Sequence, residues 1–118
     1  MSRTPSATAS KLVHAAPVFA ALGDETRLEI VARLCTGGPQ SIVRLTEGAR
    51  VSRQAVTKHL HALAKAGLVK SSREGRERIW EIRAKRFVDA RRYLDQISDQ
   101  WDEALERLRA AVETEDER

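Results

Sequence analysis

Arg53, Gln54, Thr57, Lys58 and His61 are spaced so that a helix gathers their side chains on one side. At about 100° per residue, and with Lys65 added, they fill an arc of about 140°. Ala64 shares the arc and is small enough to permit close approach. Val56, Leu60 and Leu63 lie opposite, with Ala55, Ala62, Ala66 and His59. The polar residue types match the edges of bases. Arginine donates twice to guanine, glutamine pairs with adenine, and threonine offers a methyl to thymine or a hydroxyl to phosphate. Most surface helices are amphipathic, so the missing carboxylates say more. No Asp or Glu occurs between Val51 and Ser72. A solvated helix usually mixes Glu with Lys, because such pairs add stability. A face that must approach phosphates has reason to exclude them. His61 shares the arc of donors. His59 falls among apolar residues and is expected to be partly buried with its ring nitrogens satisfied.

A second basic group follows. Arg73, Arg76 and Arg78 surround Gly75 in a segment that reads as a hairpin. Arginines at a hairpin tip reach a flanking minor groove or the backbone. Glu74 and Glu77 dilute the charge, which leaves a merely solvated hairpin as the bland alternative. Trp80 is expected to anchor the hairpin to the core rather than stack on a base.

These groups need elements to hold them. Residues 1–10 are polar and read as a flexible tail. A helical pattern starts near Lys11, and Pro17 suits a first turn better than an interior. Asp24 reads as the N-cap of a helix carrying Leu28, Ile30, Val31 and Leu34, stopped by Gly37-Gly38-Pro39. Ser41 caps a short helix to about Gly48, and Ser52 caps Arg53–Ala66, with Gly67 as its stop. Lys70–Ile82 reads as two strands joined at Glu74-Gly75-Arg76. The order is four helices, a hairpin and a long helix. The expected fold is mainly α with a small β-hairpin: a winged helix-turn-helix with a long C-terminal dimerisation helix. The expected divisions are tail 1–10, DNA-binding domain 11–83, dimerisation helix 84–113 and acidic tail 114–118.

In the last helix Phe87, Ala90, Leu94, Ile97, Trp101, Leu105, Leu108 and Val112 recur every three or four residues. So small a domain does not cover such a helix alone. The expected partner is a second copy, with Phe87, Leu94, Ile97, Trp101, Leu105, Leu108 and Val112 at the interface. Packing on the first helices of the same chain is the alternative. A two-fold dimer presents two reading helices roughly 34 Å apart, one turn of duplex, and so calls for an inverted-repeat operator.

Charge agrees with this division. Residues 51–92 hold 12 Lys/Arg against 4 Asp/Glu, whereas residues 93–118 hold 3 against 9. A basic middle beside an acidic end suggests different partners for the two. The chain has 118 residues, enough for one modest core. Its 5 aromatic residues, Phe19, Trp80, Phe87, Tyr93 and Trp101, argue against a surface of stacked rings. A single cysteine, Cys35, excludes an intrachain disulfide and suits a reducing cytoplasm. It is expected to be buried at a helix end. No apolar run is long enough for a bilayer and no signal peptide is evident, so a cytoplasmic location without membrane association is expected. No nucleophile–base motif or phosphate loop is present, and no enzymatic activity, cofactor or metal is expected.

The run Phe19-Ala20-Ala21-Leu22-Gly23-Asp24-Glu25-Thr26-Arg27-Leu28-Glu29-Ile30 resembles the opening "F-x-A-L-x-D-x-T-R" of the ArsR family of winged-helix repressors. Ser52-Arg53-Gln54-Ala55-Val56-Thr57-Lys58-His59-Leu60, then Leu63, Ala66-Gly67-Leu68-Val69 and Arg73-Glu74-Gly75-Arg76, resemble that family's reading helix and wing. The resemblance runs from about Pro17 to Val112. It implies a dimeric, DNA-binding bacterial transcription factor, usually a repressor. It also implies that Ser52, Arg53, Gln54, Thr57, Lys58 and His61 face the major groove.

The chain departs from the family's metal sensors. Where many members carry Cys-x-Cys, this sequence reads Ser41-Ile42-Val43-Arg44-Leu45-Thr46, and its last helix has no histidine. Soft metals need converging thiolates or imidazoles. His14, Cys35, His59 and His61 form no such spacing. A metal- or redox-responsive repressor and a winged-helix protein-interaction module remain the alternatives to a regulator without a metal site, and the identity of any effector is open.

Overall fold

The computed structural model describes residues 7–116. The chain runs α1 (Ala7–Leu22), α2 (Glu25–Gly37), β1 (Gln40–Ser41), α3 (Ile42–Thr46), α4 (Arg53–Lys65), β2 (Val69–Glu74), β3 (Glu77–Ile82) and α5 (Ala84–Asp116). The expected winged helix-turn-helix is therefore present, with a long terminal helix.

Local chemistry starts three of these helices. The carboxylate of Asp24 accepts from the Arg27 amide at 3.0 Å. Ser41 Oγ accepts from the Arg44 amide and Ser52 Oγ from the Ala55 amide, each at 3.2 Å. Each cap satisfies an amide that lacks an intrahelical partner. Gly75 turns the hairpin with φ of 62°, a conformation that L side chains resist.

The sheet is larger than the expected hairpin. Its antiparallel strands lie in the order β1-β3-β2. Gln40 pairs with Trp80 and Ser41 with Ile79. Ser41 thus serves as both a strand residue and the cap of α3. Gln40 is buried, and its Nε2 donates to the carbonyls of Arg33 and Gly38 at 2.8 and 3.2 Å. These bonds replace the water that Gln40 gives up.

The core gathers Val18 and Ala21 of α1, Ile30, Val31 and Leu34 of α2, Leu45 of α3, and Val56, Leu60 and Leu63 of α4. Leu68, Val69, Trp80 and Ala90 close it. Each fully buried leucine contributes about 1.5–3 kcal/mol before ordering costs. Trp80 is a core residue, as its position in the strand suggests.

Five expectations need correction. α1 begins at Ala7, inside the segment read as a tail; residues 1–6 of that segment lie outside the described residues. Pro17 sits inside α1, where the packing of Ala15, Val18 and Ala21 holds the helix against the loss of one amide. Leu28 is exposed, because the buried stripe of α2 runs through Ile30, Val31 and Leu34. Cys35 is exposed rather than buried, one position past the same stripe. At the other end α5 continues to Asp116, through part of the segment read as an acidic tail.

Candidate nucleic-acid interface

α4 turns Val56, Leu60 and Leu63 inward, and all three are fully buried. That fixes its roll. Ser52, Arg53, Gln54, Lys58, His61 and Lys65 are exposed as a consequence, and Thr57 is half-buried. The sequence-selected residues therefore share one accessible face. The Thr57 hydroxyl donates to the Arg53 carbonyl at 2.9 Å, which leaves its methyl and lone pairs outward. Ser52 is engaged as the cap, but its own hydroxyl proton is available to an acceptor.

The two histidines diverge. The rings of His61 and Trp80 meet edge to face, with centroids 5.7 Å apart and planes at 89°. This contact ties the exposed reading face to the buried Trp80 of the hairpin. His59 is half-buried, and its Nδ1 accepts from Arg27 Nε at 3.2 Å. Asp24 Oδ1 lies 3.9 Å from the same nitrogen. The Arg27 amide that donates to Asp24 holds its carboxyl below the usual carboxylate range, against some desolvation and with help from the Arg27 guanidinium.

The wing arginines are exposed, and the structure brings them toward α4. Arg53, Arg73, Arg76 and Arg78 border one open hollow with Glu77 and Ser41–Val43. Sequence reasoning selected the arginines but not the contribution of residues 41–43. The pairing of Ser41 with Ile79 is what carries that segment to the wing. Arg78 Nη1 also donates to Ser71 Oγ at 2.9 Å across the strands.

α5 is fixed at its root and bare beyond it. Phe87 packs against the chain's own core and Ala90 is buried. Ile97 is half-buried. Leu94, Trp101, Leu105, Leu108 and Val112 are all at least half exposed. Among the described residues, no three His, Cys, Asp or Glu side chains are grouped to hold a metal ion. Among the same residues no helix is long and apolar enough to cross a membrane.

Residues 22–72 match the family model described as a helix-turn-helix domain. An uncharacterized HTH-type transcriptional regulator of Methanocaldococcus jannaschii is 30% identical over 87 residues, which covers 74% of this chain and 98% of the relative. Among solved structures, an ArsR-like transcriptional regulator from Rhodococcus sp. RHA1 superposes with a TM-score of 0.70 at 39% identity, covering 84% of this chain and 92% of the other. The homodimeric winged helix-turn-helix DNA-binding domain of a possible ArsR-family regulator from Mycobacterium bovis gives a TM-score of 0.62 at 26% identity, covering 85% and 91%.

Proposed function

The chain belongs to the ArsR-like winged helix-turn-helix transcriptional regulators, and from that premise we propose that it is a homodimeric repressor of an inverted-repeat operator. It is a DNA-binding regulator. The proposal places α4 in the major groove, with Ser52, Arg53, Gln54, Thr57, Lys58 and His61 toward the bases and flanking phosphates. Arg73, Arg76 and Arg78 of the wing engage the DNA beside it. Phe87, Leu94, Ile97, Trp101, Leu105, Leu108 and Val112 pair with a second copy, Phe87 at the root of the helix, where it also packs on its own core. Regulation proceeds by occupancy of DNA in the cytoplasm, without catalysis.

The observation that carries this reading is the exposed face of α4. Arg53, Gln54, Lys58 and His61 all reach solvent there, and no carboxylate shares the helix. Such a face has little use on a solvated helix and a direct use against a polyanion. Selection of bound duplexes from a random-sequence pool, with the mass of the free protein measured by sedimentation, tests it. The expected result is a dimer that enriches a symmetric site. A monomer, or a protein that enriches no sequence, overturns the proposal.

A further inference from the structure

Arg73 and Arg78 are directly opposed across β2 and β3, so their side chains share a face of the hairpin. Ser71 and Trp80 are the next opposed pair on that face, and Val69 and Ile82 follow. Trp80 and Val69 are buried, so this is the core-facing side of the sheet. Arg73 and Arg78 continue it outward past the end of the core. Glu74 and Glu77 form the neighbouring opposed pair on the other face, where Lys70 and Glu81 also meet at 3.6 Å. Like charges directly opposite one another are destabilising. Among the described residues no carboxylate stands within ion-pair distance of Arg53, Arg73, Arg76 or Arg78.

Alternation of the strands therefore turns two mutually repelling guanidiniums toward the helix-turn-helix. There they meet Arg53, at the start of α4, around a hollow of about 280 Å³. The bond from Arg78 to Ser71 Oγ holds one guanidinium in place. Val43, half exposed, supplies an apolar wall of the same hollow, and Glu77 also borders it.

We propose that this hollow seats one phosphate group of the DNA backbone between Arg53, Arg73 and Arg78, with Val43 against the adjoining deoxyribose. The inference rests on the DNA-binding reading above and deepens it. Arg53 then acts on phosphate rather than on a base edge, and the wing fixes register rather than sequence. A strand of DNA is favoured over a free anion because the hollow is open between the wing and α4, along the path of a duplex engaged by that helix.

The test measures binding of mixed-sequence DNA duplexes against salt concentration for the wild type, Arg73→Gln and Arg78→Gln. Arg109→Gln, at the far end of α5, is the charge-matched control. Each wing variant is expected to lower the salt slope by about one unit per subunit, equally for every sequence. Arg73→Gln is also expected to raise the melting temperature of the free protein, since it removes one of two opposed charges and no hydrogen bond, whereas Arg78→Gln also loses the bond to Ser71. Arg109→Gln leaves the salt slope unchanged. A wing variant that alters preference among sequences while keeping the slope makes the wing a base reader and overturns the seat. Inorganic phosphate at matched ionic strength is the free-ion arm. If it raises the melting temperature of the wild type but not of Arg73→Gln, and the duplex slopes are unchanged, the hollow belongs to free phosphate. Unchanged slopes with a wild type that binds DNA overturn the seat alone. A wild type without salt-dependent duplex binding overturns the DNA-binding reading as well.

Discussion

Arg27, in the first turn of α2, donates from Nε to Nδ1 of His59 in α4 across 3.2 Å. The same guanidinium donates from Nη1 to the Ala21 carbonyl at the end of α1. One side chain thus fastens three helices. It also sets the tautomer of His59, whose Nδ1 must be unprotonated to accept, so the ring proton sits on Nε2.

Arg27→Ala removes both bonds and leaves His59 Nδ1 without its donor. We expect a loss of about 1–3 kcal/mol in folding free energy, read by urea denaturation. Arg27→Lys is expected to recover little, because one ammonium does not reproduce the two directions of a guanidinium. Equal stability of Arg27→Ala and wild type would show that the bonds contribute nothing.

Asp24 gives the fold an acid-sensitive contribution. Its folded carboxyl titrates below the ordinary value of 3.8. The stability it adds is therefore full above that value and is lost as pH falls through the lower folded one. Asp24→Asn keeps a capping oxygen but removes the charge. Denaturation curves measured across the acid range are expected to show a shallower loss of stability for the variant than for the wild type. Parallel acid limbs would contradict the assignment.

Lys58 and Gln54 are expected to separate affinity from sequence preference. Lys58→Ala weakens binding to all duplexes and lowers the salt slope by about one unit per subunit. Gln54→Ala reduces discrimination at one base pair by about 1–3 kcal/mol with little change in slope. Competition binding with single-base operator variants reads both. Loss of sequence preference in Lys58→Ala would reverse the roles.

Trp101→Glu should separate association from folding. Trp101 is 63% exposed in the single chain, so the change disturbs little of the core. Buried in a partner, the indole contributes on the order of 2–3 kcal/mol, and a carboxylate there adds a desolvation cost. The expected outcome is a folded monomer by sedimentation, with unchanged far-UV circular dichroism and much weaker binding to a two-half-site duplex. A dimer that survives the change would place the interface elsewhere.

The parts of this structure that were legible from sequence depend on neighbours in the chain. Asp24, Ser41 and Ser52 cap helices because an oxygen meets an amide three residues on, and that rule is local. The face of α4 is set by a period, which any stretch of sequence displays. The parts that were not legible depend on distant partners. β1 has two residues and exists only because β3 lies beside it. Arg27 and His59 are 32 positions apart. The hollow beside Arg53 needs both the third strand and the alternation of the hairpin, neither of which Arg53 itself announces. Pro17 shows the reverse: a strong local preference against a helix interior yielded to burial of the residues on either side.

α5 is held to the body around Phe87, Ala90 and Tyr93, while Leu105, Leu108 and Val112 stand away from it. From Ala90 to Val112 the helix extends about 33 Å. In a dimer joined through its outer part, this helix is a lever arm between the seam and the body of each subunit. A tilt of about five degrees at the clamped end sweeps the free end through about 3 Å, close to the rise of one base pair along a duplex. Larger residues in place of small ones near Ala90 are therefore expected to change the spacing of the two reading helices in the proposed dimer, without altering any group proposed to meet DNA.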